Sequence, residues 1–485
     1  MGKASMKTGG DLSRVELIID LFLLHCNIFN SHLCGNDMFW TNGQSRFISI
    51  NTAPMNTTQL LALNAWQAAA LLNRREITAE ALLRACLERI TEREGSIHAF
   101  THLDPDAALA QARALDAGPV RGLLHGLPIG VKDLFDTADL VTSYGSAIYA
   151  GHRPRADAAP VALCREAGAL VLGKTVSTEF AYFTPGPTRN PHNTAHTPGG
   201  SSSGSAAAVA DRMLPLALGT QTAGSIIRPA AYCGVVGFKP SLGREASGGV
   251  KSLSPTMDTF GGFGRSVRDV GLLGAVLTGD ARLSGWSEAS ATDAPRIGFF
   301  QTPSWPQADT DVARAWEQAT RVLYSQAKDC QDVATPANFA DLIQLQKDVM
   351  TFEMARALSH ERMHHRQRLS PPLNTLLDDG MAITGARHAA DLIKVADWRQ
   401  RIAALFARHD VLLTPSTTGI APEGTATGDP LFCRSWSILG LPSVHLPFTT
   451  GQKGLPVGLQ LVGRFGQDHQ LLAVADWVHE RLIYR

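Results

Sequence analysis

The chain has 485 residues, 44% of them hydrophobic and 18% charged, which suits a soluble globular protein with a large buried core. Lys plus Arg and Asp plus Glu both total 44, so no net field draws it toward nucleic acid or anionic lipid. The seven cysteines are odd in number and form no C-x-x-C pair, which argues against a disulfide framework or a zinc knuckle and for a reducing cytoplasm.

Residues 1–54 mix polar residues, Cys26, Cys34 and isolated apolar clusters without a sustained period. Their most apolar stretch, residues 15–29, is broken by Glu16, Asp20 and His25, and falls short of the ~18 consecutive apolar residues of a membrane helix. Nor does it carry a basic leader or a small-residue cleavage site. Met55 directly precedes an orderly segment, so 1–54 is expected to be an N-terminal extension outside the fold and 55–485 a single domain. Residues 59–72 have helical apolar spacing. Thr78 reads as the N-cap of a second helix with Leu82, Leu83, Cys86, Leu87 and Ile90 on one stripe, and 107–117 as a third. An apolar run over 127–133 ends on Lys132-Asp133, and 169–172 reads as a buried strand. Residues 190–264 are rich in Gly, Ser and Pro and would ordinarily be loop. Further on, 311–365 and 385–408 are helical in pattern, 411–415 and 455–462 read as strands, and 470–482 as a closing helix. This irregular alternation predicts one layered α/β domain.

Three segments carry chemistry. In His125-Gly-Leu-Pro-Ile-Gly-Val-Lys132-Asp a lysine is embedded in an apolar run. Burial disfavours the ammonium and can make such a lysine a usable base, although a strand-end lysine reaching solvent is the better reading of this segment taken alone. In Thr197-Pro-Gly-Gly-Ser201-Ser-Ser-Gly-Ser-Ala-Ala-Ala-Val-Ala210 glycines and serines give way directly to a helix former, which a flexible linker would not do. In Leu218-Gly-Thr-Gln-Thr-Ala-Gly-Ser225-Ile-Ile-Arg228-Pro small residues before Ser225 let backbone N–H groups crowd one point, as an oxyanion hole needs; a tight turn between buried elements is the alternative. Gly200-Ser-Ser202-Ser-Gly204 also fits the nucleophile elbow of α/β-hydrolases. That elbow must follow a strand, and here a polar segment with Pro191 and Pro198 precedes it.

Together the segments resemble the amidase-signature family over most of residues 58–485. The matching stretches are Gly130-Val-Lys132-Asp, Pro198-Gly-Gly-Ser201-Ser, Gly219-Thr-Gln-Thr-Ala-Gly-Ser225, Gly234-Val-Val-Gly-Phe-Lys239-Pro, Ser254-Pro-Thr-Met-Asp258, Leu439-Gly-Leu-Pro442 and Gly458-Leu-Gln-Leu-Val-Gly463. Ser225 follows Ser201 by 24 residues (225 − 201), the separation expected between relay and nucleophile serines in that family.

The resemblance implies an α/β/α domain with a central mixed sheet covered by helices. It also implies an amidohydrolase that cleaves a carboxylic amide to acid plus ammonia or amine. Ser225 would be the nucleophile that forms an acyl-enzyme, Ser201 the relay, with its peptide bond to Gly200 cis, and Lys132 the neutral general base. The N–H groups of Thr222, Ala223, Gly224 and Ser225 would form the oxyanion hole, and Ser202 and Arg228 would meet substrate. No metal and no organic cofactor is implied. The expected partner is a small-molecule amide, without nucleic acid or membrane; a homodimer stays open.

Three departures bear on substrate. Gln221 stands where many members carry aspartate, and Ala223 where glycine is common. Arg228 comes one position later than usual, as in malonamidase-like members, where it helps bind a substrate carboxylate; the alternative is a buried structural arginine. Two other activities of the same family stay open: the glutaminase (A) subunit of a tRNA-dependent amidotransferase, and a carbamate- or urea-type hydrolase. A non-enzymatic binding protein is disfavoured by the intact Lys132, Ser201 and Ser225.

Overall fold

The structure, a computed structural model, describes residues 55–285 and 294–483, so the extension expected over 1–54 lies outside the described residues. Eleven strands form one sheet: β1 (Phe100–Leu103), β2 (Pro128–Lys132), β3 (Leu170–Thr175), β4 (Leu216–Gln221), β5 (Val236–Lys239), β6 (Thr259–Gly264), β7 (Arg296–Phe299), β8 (Asp329–Asp332), β9 (Val411–Pro415), β10 (Ser443–Thr450) and β11 (Pro456–Gly463). Their spatial order is β1-β3-β2-β4-β6-β5-β10-β11-β9-β7-β8. The sheet is mixed: β2 runs parallel to β3 and β4, and β7 to β8 and β9, while the centre from β4 to β9 is antiparallel.

Helices flank this sheet, giving the expected α/β class. Along β10 and β11, Val444, Leu446, Leu459 and Leu461 enter a core with Leu471, Leu472 and Val478 of the closing helix Asp468–Ile483. In the N-terminal half, Ile129, Val131, Leu216 and Leu218 pack with the alanines of helix Ser203–Ala210. Each of these valine, leucine and isoleucine side chains, fully buried, contributes roughly 1.5–3 kcal/mol relative to exposure.

Local chemistry accounts for the boundaries. Residues 59–72 are two helices, Thr57–Ala62 and Ala65–Asn73, because Leu63 is extended and Asn56 and Asn64 each open a capping box. Thr78 caps the next helix, Ala79–Ile97, its hydroxyl accepting from Ala81 N at 3.1 Å. The expected helical stretch 311–365 is interrupted by β8. Residues 190–264, loop-like by composition, hold β4, β5, β6 and two helices, Ser203–Ala210, where the alanine-rich run reads as a helix former, and Ile227–Cys233. Their small residues serve close packing: a Cβ at Gly204 would sit 2.1 Å from Ala99 O and 2.4 Å from Val176 N.

Of the described cysteines, Cys86, Cys164, Cys233 and Cys433 are buried free thiols and Cys330 is half-buried. Burial pushes the Cys233 thiol up, so it is no activated thiolate. Among the described residues no helix is long and apolar enough to cross a membrane.

Candidate active site

Lys132 ends β2, between β3 and β4, and is 0% exposed rather than reaching solvent. Its Nζ donates to Ser201 Oγ at 2.7 Å and to Thr220 Oγ1 at 2.7 Å. Burial pushes its pKa well below the ordinary lysine range; the Asp258 charge opposes that shift and the Arg228 charge adds to it. Thr220, on β4, lies inside a motif read from the sequence, yet nothing there pointed to it as a partner of Lys132.

Ser201 follows a cis Gly200–Ser201 peptide bond and is 1% exposed; its carbonyl accepts from Thr178 N at 3.2 Å. Ser202, expected at the substrate, is instead fully buried. Its hydroxyl accepts from Thr220 N and donates to Thr220 O, both at 3.3 Å, and so fastens the start of helix Ser203–Ala210 to β4.

Ser225 lies between β4 and helix Ile227–Cys233 and, at 7% exposed, is the least covered of the three. Among the described residues, the backbone N–H groups of Thr222, Ala223, Gly224 and Ser225 have no acceptor. The next two are satisfied: Ile226 N and Ile227 N both donate to Gln221 Oε1, at 2.9 and 3.0 Å. Gln221 Nε2 donates in turn to Ser437 Oγ (3.0 Å), and Ser437 Oγ to Ala223 O (2.7 Å). Gln221 and Ser437 thus brace the loop from inside. Gly224 is needed there, since a Cβ would lie 2.8 Å from Pro430 Cβ and 3.2 Å from Cys433 Cβ. At the loop's start Thr222 Oγ1 donates to Asp258 Oδ1 at 2.6 Å, while Asp258 Oδ2 accepts from Leu253 N, Ser254 N and Ser252 Oγ.

Arg228 is 3% exposed and turned inward. Its Nε and Nη2 donate to Gly200 O at 3.1 and 2.6 Å, and its Nη1 to Gly428 O at 2.6 Å. The guanidinium expected to meet a substrate carboxylate therefore binds main-chain carbonyls. It clamps the peptide preceding Ser201 to the helix that follows Ser225. Among the described residues no group of three or more His, Cys, Asp or Glu is placed to hold a metal ion.

Residues 81–472 match the protein-family model described as Amidase. The chain belongs to the amidase-signature family. It is an amide-hydrolysing enzyme. A glutamyl-tRNA(Gln) amidotransferase subunit from Acidothermus cellulolyticus is 33% identical over 479 residues, covering 86% of this chain and 94% of that relative. A crystal structure of an amidase is 32% identical with a TM-score of 0.79, over 87% of this chain and 100% of that one. The native peptide amidase of Stenotrophomonas maltophilia is 29% identical with a TM-score of 0.73, over 87% of this amidase and 97% of its own chain.

Proposed function

We propose that this amidase cleaves a carboxylic amide through an acyl-enzyme on Ser225, with Ser201 as proton relay and Lys132 as general base. The observation that carries the reading is a fully buried lysine amine, 2.7 Å from Ser201 Oγ, whose burial pushes its pKa well below the ordinary lysine range. In a neutral amine the 2.7 Å contact can reverse, the Ser201 hydroxyl donating to the Nζ lone pair while one N–H stays on Thr220 Oγ1. Ser201 then takes the proton of Ser225 as Ser225 Oγ adds to the carbonyl carbon. The four uncommitted N–H groups from Thr222 to Ser225 receive the oxyanion. On collapse, the proton held by Lys132 returns through Ser201 to the leaving amine, and water releases the acid by the same route. In this reading 55–485 is the amidase domain, 1–54 stands outside it, and the buried free thiols suit a reducing cytoplasm.

A second reading, the glutaminase component of a tRNA-dependent amidotransferase, is favoured by relatives named as glutamyl-tRNA(Gln) amidotransferase subunits, at 33% and 34% identity. The purified chain, offered amides, monoamide acids, carbamates and glutamine, should release amine or ammonia from small amides with no other chain present. Ammonia release confined to glutamine, with partner chains retained on purification, would make it the amidotransferase component instead. Turnover confined to carbamates would move the same triad to a carbamate-type substrate.

A further inference from the structure

The buried arginines around this site differ in how their charge is met. Arg228 spends Nε, Nη1 and Nη2 on two carbonyls. Arg434, 6% exposed, makes one side-chain hydrogen bond among the described residues, Nη1 to Gln346 Oε1 at 2.6 Å, and has no ion-pair partner there. The acidic charge that acts on it is that of Asp429, which is itself exposed. A guanidinium has five N–H donors, and a buried, unpaired cation is costly unless something else meets it.

Its position says where that partner would come from. Arg434 lies on helix Leu431–Ile438, next to Cys433, which abuts Gly224, and three residues before Ser437, which bonds Ala223 O. Its charge is also felt at Tyr182. That residue follows closely on Thr178, whose N–H holds Ser201 O. Arg434 thus lies on the helix that packs against the nucleophile loop, and its charge acts at both Arg228 and Tyr182.

We propose that Arg434 is the anion-recognising residue of this active site and that the preferred substrates are amides bearing a carboxylate. The inference rests on the acyl-enzyme reading above. A carboxylate would take the free edge of the planar fork in a paired, charge-assisted contact.

The test is a matched pair, succinamate and butyramide, which differ in the terminal carboxylate. The wild type should favour succinamate. Arg434→Met should lower kcat/KM for succinamate roughly 10- to 100-fold, mainly through KM, and for butyramide by less than about threefold. Arg434→Lys, which keeps the charge and loses the fork, should retain part of the preference. Gln346→Glu offers the unaltered arginine an internal carboxylate and should erase the preference even if Arg434→Met fails to fold. Arg228→Lys should lower both substrates together, as a clamp would. A wild type without preference for succinamate, or variants at 434 and 346 that lower both substrates equally, would overturn the proposal. Turnover of butyramide that survives Ser225→Ala would instead overturn the acyl-enzyme reading on which it rests.

Discussion

Replacing Ser225 by alanine should cut kcat/KM at least about a hundredfold for every amide the enzyme turns over, a loss of about 2.7 kcal/mol of transition-state stabilisation. The fold should be retained, because the substitution removes one oxygen at the least covered of the three positions. No neighbouring hydroxyl can stand in. Ser201 Oγ is occupied at Lys132 Nζ, and Ser202 Oγ is fully buried on the backbone of Thr220. Steady-state kinetics beside a thermal melt decide the matter. A well-folded variant keeping more than a hundredth of the wild-type kcat/KM would sink the assignment.

Lys132 should show the next largest effect and a pH signature of its own. Burial favours the neutral amine, so the group titrates below the ~10.4 of a free lysine. The base works deprotonated. Activity should therefore rise with pH through this ionisation and level off above it, with the loss on the acid side. Lys132→Ala should abolish amide cleavage at every pH. Lys132→Arg should not rescue it, since a guanidinium stays protonated. Lys132→Glu should retain a trace with a shifted profile, because a carboxylate can accept the proton. An active Lys132→Arg enzyme would mean that charge matters there and base catalysis does not.

The segments around Lys132, Ser201 and Ser225 were legible in the sequence because each puts a reactive side chain among residues too small or too apolar for an ordinary loop. What braces them was not legible. Gln221 and Ser437 are 216 residues apart, and no spacing rule links them. For Arg228 the sequence leaves a substrate carboxylate and a buried structural role both open, because its acceptors are backbone carbonyls 28 and 200 residues away, and any residue could supply those.

The same limit applied to the fold. β6, Thr-Phe-Gly-Gly-Phe-Gly, looks like a turn by composition, yet a Cβ at Gly261 would lie 2.1 Å from Phe238 O. Its glycines let neighbouring strands close up. In β10 Val444, Leu446 and Phe448 alternate with Ser443, His445 and Pro447, as in a strand with one apolar face, yet the other face is buried at Ser443 and His445 as well. There His445 pairs across the sheet with Gln460, and Gln460 with Thr414, in a buried polar row that hydrophobic periodicity does not reveal. Helix Pro371–Ala382, which lies outside the two stretches of helical pattern, opens on two prolines, as suits a first helical turn.

The most direct test of the central claim is to catch the acyl group. The enzyme should be quenched in acid during turnover of a chromogenic anilide, digested, and searched by mass for an acylated peptide. The account predicts the acyl mass on Ser225, gone in Ser225→Ala. An acyl group on Ser201 or Ser202, or a burst of aniline with no acylated peptide, would contradict it.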